Sequence, residues 1–355
     1  MPRHFLVQRG NLNATRSDDA DALQPRPGEA VIGVERFALT ANNITYGVAG
    51  DMIGYWKFFP APDGWGRIPV WGIGRVLRSA HPDLVEGARY YGYFPMSDEV
   101  CVKAEKVNTR GFKDGAAHRA ELPPVYNQYT AVSPDNGFEP RFDNHAMVYR
   151  PLFTTSFVLD DYLADNDFFG AQQIILGSAS SKTGFGLAYM LRQRADINIV
   201  GLTSPGNLQF VQGLGLYDTV LSYDAIEQLE AVPSVYVDMA GNRKVLARVH
   251  HHLHNNLTNS CGVGMTHWDA PDGEDPAALP GAKPTMFFAP SQILKRNEEL
   301  GPERYQALLG EATQAFFSDV DSWVTIETHS FSDIEQVYQR VLSGAPADRA
   351  YVVSV

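Results

Sequence analysis

The sequence predicts an α/β protein of two domains, a small all-β domain followed by a doubly wound parallel sheet. Three observations carry that expectation. Short strand-like runs separated by Gly and Pro fill the first third, the pattern of a small barrel or sandwich. From about Leu152 the texture changes to strands alternating with helices, the pattern of βαβ units. The length of 355 residues suits two domains of roughly 100–200 residues each.

Residues 5–8 and 30–37 read as strands, the second after the Pro27-Gly28 turn. Runs 70–78, 89–94 and 99–102 follow. The stretch 108–150 is polar and irregular, with Pro123-Pro124 and Pro134. Beyond it, 173–176, 197–202, 219–222, 234–239 and 285–289 read as strands, and 184–194 and 208–214 as helices. A further helix begins near Asn242, 303–317 and 333–342 are late helices, and 351–355 closes as a strand.

Composition narrows the function classes. Apolar residues make up 44% and charged residues 20%, enough core and too little charge for disorder. The formal net charge is −12, and no basic face is visible, so nucleic acid is not an expected partner. No run approaches the ~18 apolar residues of a membrane span, and no secretory signal is apparent in residues 1–10. The two cysteines, Cys101 and Cys261, lie far apart, so a disulfide framework is not expected and a reducing cytoplasm fits.

The most informative segment is Ile174-Ile175-Leu176-Gly177-Ser178-Ala179-Ser180-Ser181-Lys182-Thr183-Gly184-Phe185-Gly186. An apolar strand runs into a small-residue turn and then a helix. Small residues let backbone approach a pyrophosphate, and the helix start offers unpaired N–H groups and partial positive charge. Hydroxyls of Ser178, Ser180, Ser181 and Thr183 and the Lys182 ammonium add donors. A strict G-x-G-x-x-G is absent, and a P-loop match to Gly177-x-x-x-x-Lys182-Thr183 lacks the glycine before the lysine. The next strand ends in Thr203-Ser204-Pro205-Gly206-Asn207, with no carboxylate to bind a ribose 2′-hydroxyl or repel a 2′-phosphate. That favours NADP(H) over NAD(H), although no Arg or Lys stands in residues 203–207.

This order of motifs resembles the medium-chain dehydrogenase/reductase superfamily, especially its zinc-free quinone- and enoyl-reductase branch, and within it a divergent bacterial group of unknown function. Residues 41–46 look like the segment beside the nicotinamide, with Asn43 and Thr45 replacing the usual Pro and Asp. Residues 71–76 and 91–94 are similar to two strands of the GroES-like catalytic domain. Residues 152–156 are similar to the start of the hinge helix, which implies a cofactor contact for Thr154. Residues 201–207 are similar to the NADP-type loop, with Asn207 where some relatives carry Lys. The resemblance implies that Tyr223 reaches the 2′-phosphate and that Ala240 and Gly241 lie near the nicotinamide ribose. It places residues 259–264 and 287–290 at the last strand ends, and residues 329–332 at the return to the catalytic domain.

The implied architecture is a Rossmann doubly wound parallel sheet over 151–299 and a GroES-like β-barrel catalytic domain over 1–150, completed by 300–355. The implied activity is metal-free, NADP(H)-dependent reduction of an activated C=C or carbonyl in an apolar small molecule. A sensor or scaffold without turnover, or a lyase or isomerase, would use the same framework. Tyr46 is the first candidate for proton donation or carbonyl binding. Tyr126 is the second, followed by Asn127 and Tyr129. The aromatic run Tyr55, Trp56, Phe58, Phe59, Trp65 and Trp71 walls a pocket or fills a core. Two cysteines cannot supply a four-cysteine zinc lobe. The run His250-His251-His252 with His254 is expected at a solvated helix C-terminus, not at a metal. A homodimer is expected, as in relatives that pair their last sheet strand, here 285–289.

Overall fold

The computed structural model describes residues 1–194, 197–263 and 275–355. They form two compact units, Met1–Tyr149 with Thr325–Val355, and Arg150–Val324.

The first unit is built on β1 (Arg3–Gln8), β2 (Asn11–Asp19), β3 (Glu29–Leu39), β4 (Trp65–Gly66), β5 (Pro69–Ser79), β6 (Arg89–Pro95), β7 (Glu99–Asn108), β8 (Gly111–Asp114) and β9 (Gln128–Ala131). Strands β3, β5, β6, β9, β8 and β7 pair in that order, and β7 pairs again with β3, closing a six-stranded barrel. Closure removes the free edges that short strands would otherwise expose. Two glycines serve the close strand packing. A Cβ on Gly72 would lie 2.7 Å from the Arg36 carbonyl oxygen, and one on Gly111 1.9 Å from that of Tyr129. Helices α1 (Ala41–Val48) and α2 (Gly50–Ile53) follow β3. The stretch 108–150, expected to be irregular, contains β8 and β9. Each is four residues long, too short to show an alternation in sequence. Strand β2 went unrecognised because its residues are polar and none is fully buried.

Helix α3 (Asp143–Asp165) leads into the second unit, passing through Pro151. That unit holds β10 (Gln173–Gly177), α4 (Lys182–Leu191), β11 (Asn198–Thr203), α5 (Leu208–Gly213), β12 (Thr219–Ser222), β13 (Ser234–Asp238), α6 (Arg243–Leu253), β14 (Leu257–Gly262), β15 (Pro284–Met286), α7 (Ala289–Leu300) and α8 (Pro302–Val320). Its strands are all parallel in the order β12-β11-β10-β13-β14-β15. The central strand β10 is buried along its whole length, as a strand with a neighbour on each side and helices on its faces must be. The chain returns to the first unit with β16 (Thr325–Ser330), α9 (Ile334–Leu342) and β17 (Arg349–Ser354), the last pairing with β3.

The return comes at Thr325, not at 300 as the sequence suggested. Helix α8 stays with the second unit because Phe316 stacks on Phe153 at 4.4 Å and lies 6.3 Å from Phe185 on α4. Expected strand 285–289 is shorter, since Ala289 already begins α7.

Candidate functional site

Two groups of expected site residues take shape, one in each unit. The first lies where β10 ends at the centre of the parallel sheet. The backbone leaves Gly177 through Ser178, held at φ 55 in the left-handed region, and enters α4 at Lys182. Ser181 caps that helix, its Oγ accepting from the Gly184 N–H at 3.1 Å. As in any helix, the first N–H groups of α4 have no intrahelical acceptor, and they point toward the turn. Phe185 is fully buried beneath it.

The two glycines of α4 serve different contacts. A Cβ on Gly184 would lie 2.7 Å from the Ser178 carbonyl oxygen, so the tight turn requires glycine there. A Cβ on Gly186 would lie 2.7 Å from Ser156 Oγ, so that glycine lets α4 pack against α3. Ser156 secures this packing by donating to the Thr183 carbonyl at 2.8 Å.

The end of β11 lies beside the turn. Leu202 O accepts from Ala179 N at 2.9 Å, and Asn207 Nδ2 donates to Ser180 Oγ at 3.0 Å. Thr203 is buried and its Oγ1 has no hydrogen-bond partner, while Ser204 is half-buried. The first carboxylate after β11, Asp218, lies by the strand's opposite end, accepting from Ile199 N at 2.9 Å and bridging Arg192 at 2.6 Å. Asp196 and Gly264 fall outside the described residues.

Tyr223 follows β12, and its hydroxyl accepts from Ser178 N at 2.9 Å. It therefore touches the turn itself. Ala240 and Gly241 follow β13, their N–H groups both held by Asp238 Oδ1 at 2.9 Å. Thr154 lies inside α3, about three turns past its start, so no helix begins at 152–156. Its Oγ1 is already spent on the Arg150 carbonyl at 2.7 Å.

The second group is an aromatic cluster in the first unit. Tyr46 on α1 lies 4.4 Å from the Tyr55 ring and 5.7 Å from Tyr93. Tyr126 is the hub, its ring within 6.4 Å of Tyr46, Tyr55, Phe58, Trp71 and Tyr93. Tyr55 and Tyr126 hydroxyls are 3.2 Å apart, and Asn42 Nδ2 donates to the Tyr46 oxygen at 2.8 Å. Burial pushes the phenols of Tyr46, Tyr55, Tyr93 and Tyr126 up from their ordinary value, so all four stay protonated near neutrality. Such groups act as hydrogen-bond donors to an oxygen.

Beneath the cluster Arg119 and Asp114, both almost fully buried, pair at 3.1 Å, with the guanidinium 4.7 Å from the Phe59 ring centre. Tyr55, Trp56, Phe58 and Phe59 are buried core, whereas Trp65 and Trp71 keep partial exposure. Asn127 and Tyr129 are also buried. Tyr129 donates to the Tyr93 carbonyl at 2.6 Å and lies inside the barrel. Asn43, expected to mark a nicotinamide-facing segment, is instead structural. Its Oδ1 accepts from Thr40 N at 2.7 Å and its Nδ2 donates to the Pro69 carbonyl at 2.9 Å.

The histidine run does end α6, but His250 is not solvated. It is fully buried, with Nδ1 2.8 Å from the Pro280 carbonyl and Nε2 2.9 Å from Ser260 Oγ. Burial lowers its pKa. Sequence reasoning set its solvent exposure too high, although Leu253 at i+3 and the partly buried Leu246 at i−4 mark an apolar stripe through it. Among the described residues no group of His, Cys, Asp or Glu is arranged to hold a metal ion, and no helix is long and apolar enough to cross a membrane.

A closed GroES-like barrel unit and a six-stranded parallel Rossmann unit together make the fold of the medium-chain dehydrogenases/reductases. The chain resembles CurA of Vibrio vulnificus, solved in complex with NADPH, at 13% identity and TM-score 0.65 over 99% of both chains. It also resembles the CurF cyclopropanase of curacin A biosynthesis, at 12% identity and TM-score 0.63, and YhdH of E. coli K-12 with bound NADPH, at 14% and 0.56. Each of these two likenesses covers 99% of both chains. Residues 37–347 match the model of a protein family of unknown function, DUF2855, and the chain belongs to that family. No curated protein matches it in sequence.

Proposed function

We propose that the protein is an NADP(H)-dependent oxidoreductase that reduces an activated C=C or a carbonyl of a neutral, fairly apolar small molecule without a metal. The observation that carries this reading is the turn from β10 into α4. It combines a left-handed Ser178, a glycine that the tight turn requires, and the N-terminus of α4. The residues present suit a dinucleotide carrying a 2′-phosphate. The buried Thr203 Oγ1 lacks a partner, and no carboxylate stands at residues 203–207. Residues 178–186, with Thr203, Ser204, Asn207 and Tyr223, would hold the adenosine phosphates and pyrophosphate. Ala240 and Gly241 would lie along the remainder.

Bound NADPH would supply a hydride. The protein's part is to orient the acceptor and stabilise charge that grows on its oxygen. Tyr46 and Tyr126 belong to a set of neutral phenols able to do so, and the surrounding rings offer an apolar wall. The test is titration of the protein with NADPH and NADH, then NADPH oxidation against enones, quinones and enoyl thioesters. Tighter NADPH binding with turnover of a neutral acceptor supports the reading. Binding without turnover of any acceptor would make the protein a cofactor-dependent sensor.

A further inference from the structure

We propose that the outer face of the β2-β1-β4 sheet carries a binding site for the carboxylate of a small organic acid, built from the Arg67 guanidinium, the Ser97 hydroxyl and the His4 imidazole. All three residues belong to the first unit and take no part in the reduction proposed above.

Strand register puts them on one face. Side chains alternate along β1. Phe5 and Val7 enter the core of the unit, so His4, Leu6 and Gln8 point the other way. Directly opposed residues of antiparallel strands share a face. Asp18 lies opposite His4 on one side and Ser97 opposite it on the other, while Arg16 lies opposite Leu6. Gly66 and Trp65 pair with Val7 and Gln8, which brings Arg67, the next residue, level with Leu6. Gly66 and Ile68 face the core, where a Cβ on Gly66 would strike the Trp56 ring. Arg67, between them, is left on the His4 face.

These donors lack acceptors. His4 is 7% exposed and Ser97 0%, yet His4 Nδ1, Ser97 Oγ and Arg67 Nε are buried with no hydrogen-bond partner among the described residues. Buried polar atoms are ordinarily paired, so a cluster of unpaired ones asks for a ligand. Charge is unbalanced in the same direction. The carboxylates near His4 are Asp18, Asp98 and Glu99. Each already holds an arginine: Asp18 holds Arg16 at 2.9 Å, Asp98 holds Arg3 at 3.0 Å and Glu99 holds Arg78 at 2.8 Å. Among the described residues Arg67 makes no ion pair, and it is the cation left over. Burial holds its guanidinium below the ordinary arginine range, and the more distant charge of Asp18 offsets only part of that.

The chemistry selects a carboxylate. The guanidinium, the hydroxyl and the Nδ1–H of a neutral imidazole can all donate, which suits a ligand atom that only accepts. A guanidinium takes a carboxylate through two parallel N–H bonds. One unpaired positive charge is matched by one carboxylate, whereas a phosphate dianion would bring an uncompensated charge. The depth of Ser97 admits only a compact group.

The probe is acetate, added to the full chain at constant ionic strength against chloride and inorganic phosphate. The imidazole NMR signal of His4, assigned by its loss in His4→Gln, is the readout. Burial and Arg67 hold the His4 pKa down, while Asp98, Asp18 and Glu99 push it up. A bound carboxylate adds to the second set. Acetate should therefore shift the His4 signal saturably, raise its pKa by about half a unit and raise Tm, and chloride should do none of these. Ser97→Ala should weaken acetate about tenfold. Arg67→Met should abolish saturation and, because it removes an unpaired charge, leave Tm in chloride unchanged or higher. No saturable shift up to about 100 mM acetate would overturn the proposal. So would saturation retained in Arg67→Met, or a Tm in chloride that this substitution lowers. Saturation by phosphate and not by acetate would overturn the choice of a carboxylate.

Discussion

Gly184 and Gly186 sit two residues apart on one helix, yet substitution should affect them differently. Gly→Ala in a helix ordinarily gains about 0.5–1 kcal/mol. At Gly184 the new methyl would meet a backbone oxygen at 2.7 Å, which cannot rotate away. Gly184→Ala is therefore expected to lower Tm and to weaken NADPH binding at least tenfold, measured by calorimetric titration. At Gly186 the obstacle is the Ser156 hydroxyl, which can turn aside if it gives up the Thr183 carbonyl. Gly186→Ala should lower Tm while leaving NADPH affinity nearly unchanged. His250 yields a pH prediction. Pro280 O can only accept, so Nδ1 carries the proton and Nε2 accepts from Ser260, a neutral imidazole with both nitrogens satisfied. Its folded pKa lies below the unfolded value of about 6.5, so the unfolded chain binds the proton first. Stability from this group is complete above about pH 6.5 and is lost as pH falls below it toward the folded pKa. Buried His4, also lowered mainly by burial, adds in the same sense. Thermal melts at pH 7 and pH 5 should show a drop in Tm that shrinks in His250→Gln.

At the scale of the element, the end of β11 sets the expected cofactor preference. Ser204→Asp would put a carboxylate where the sequence has hydroxyls, and it should cut the NADPH-over-NADH preference by about 100-fold, as ratios of Kd show. Helix α8 makes a second test. A fragment covering Arg150–Val324 should fold cooperatively, whereas one ending at residue 299 should not, since it lacks Phe316 against Phe153 and Phe185. Circular dichroism melts of the two fragments decide it. That boundary was not legible in sequence because an amphipathic helix announces its buried face without saying against what. The β10–α4 turn was legible because its requirements are local: an apolar strand, small residues, a helix start. The barrel was legible as a class but not strand by strand. Its closure depends on pairing β3 with both β5 and β7, a fact about distant residues. The aromatic run 55–71 could be read as wall or core. The structure makes Tyr55, Trp56, Phe58 and Phe59 core and brings Tyr126, half-buried, against them from another segment, which sequence proximity to the nicotinamide-like motif could not reveal.

For the molecule as a whole we propose a homodimer through the outer edge of β15. That strand ends the parallel sheet, and Met286 and Phe288 beside it are 58% and 66% exposed. Light scattering at micromolar concentration should give a dimer mass, and Met286→Lys with Phe288→Lys should give a monomer without loss of fold. The pairing of β17 with β3 has a further consequence, for the order of biosynthesis. Residues 36–39 of β3 meet residues 351–354, so a strand made near the start waits for one translated only after the entire second unit. A ribosome adding about 5–20 residues per second therefore leaves the last residues of β3, beyond those that β7 pairs, without their second partner for many seconds. During that interval Phe37 and Leu39 lie on an unpartnered margin that chaperones would be expected to shield. Slowing translation between residues 150 and 325 should lengthen the period of chaperone association without altering the mature protein.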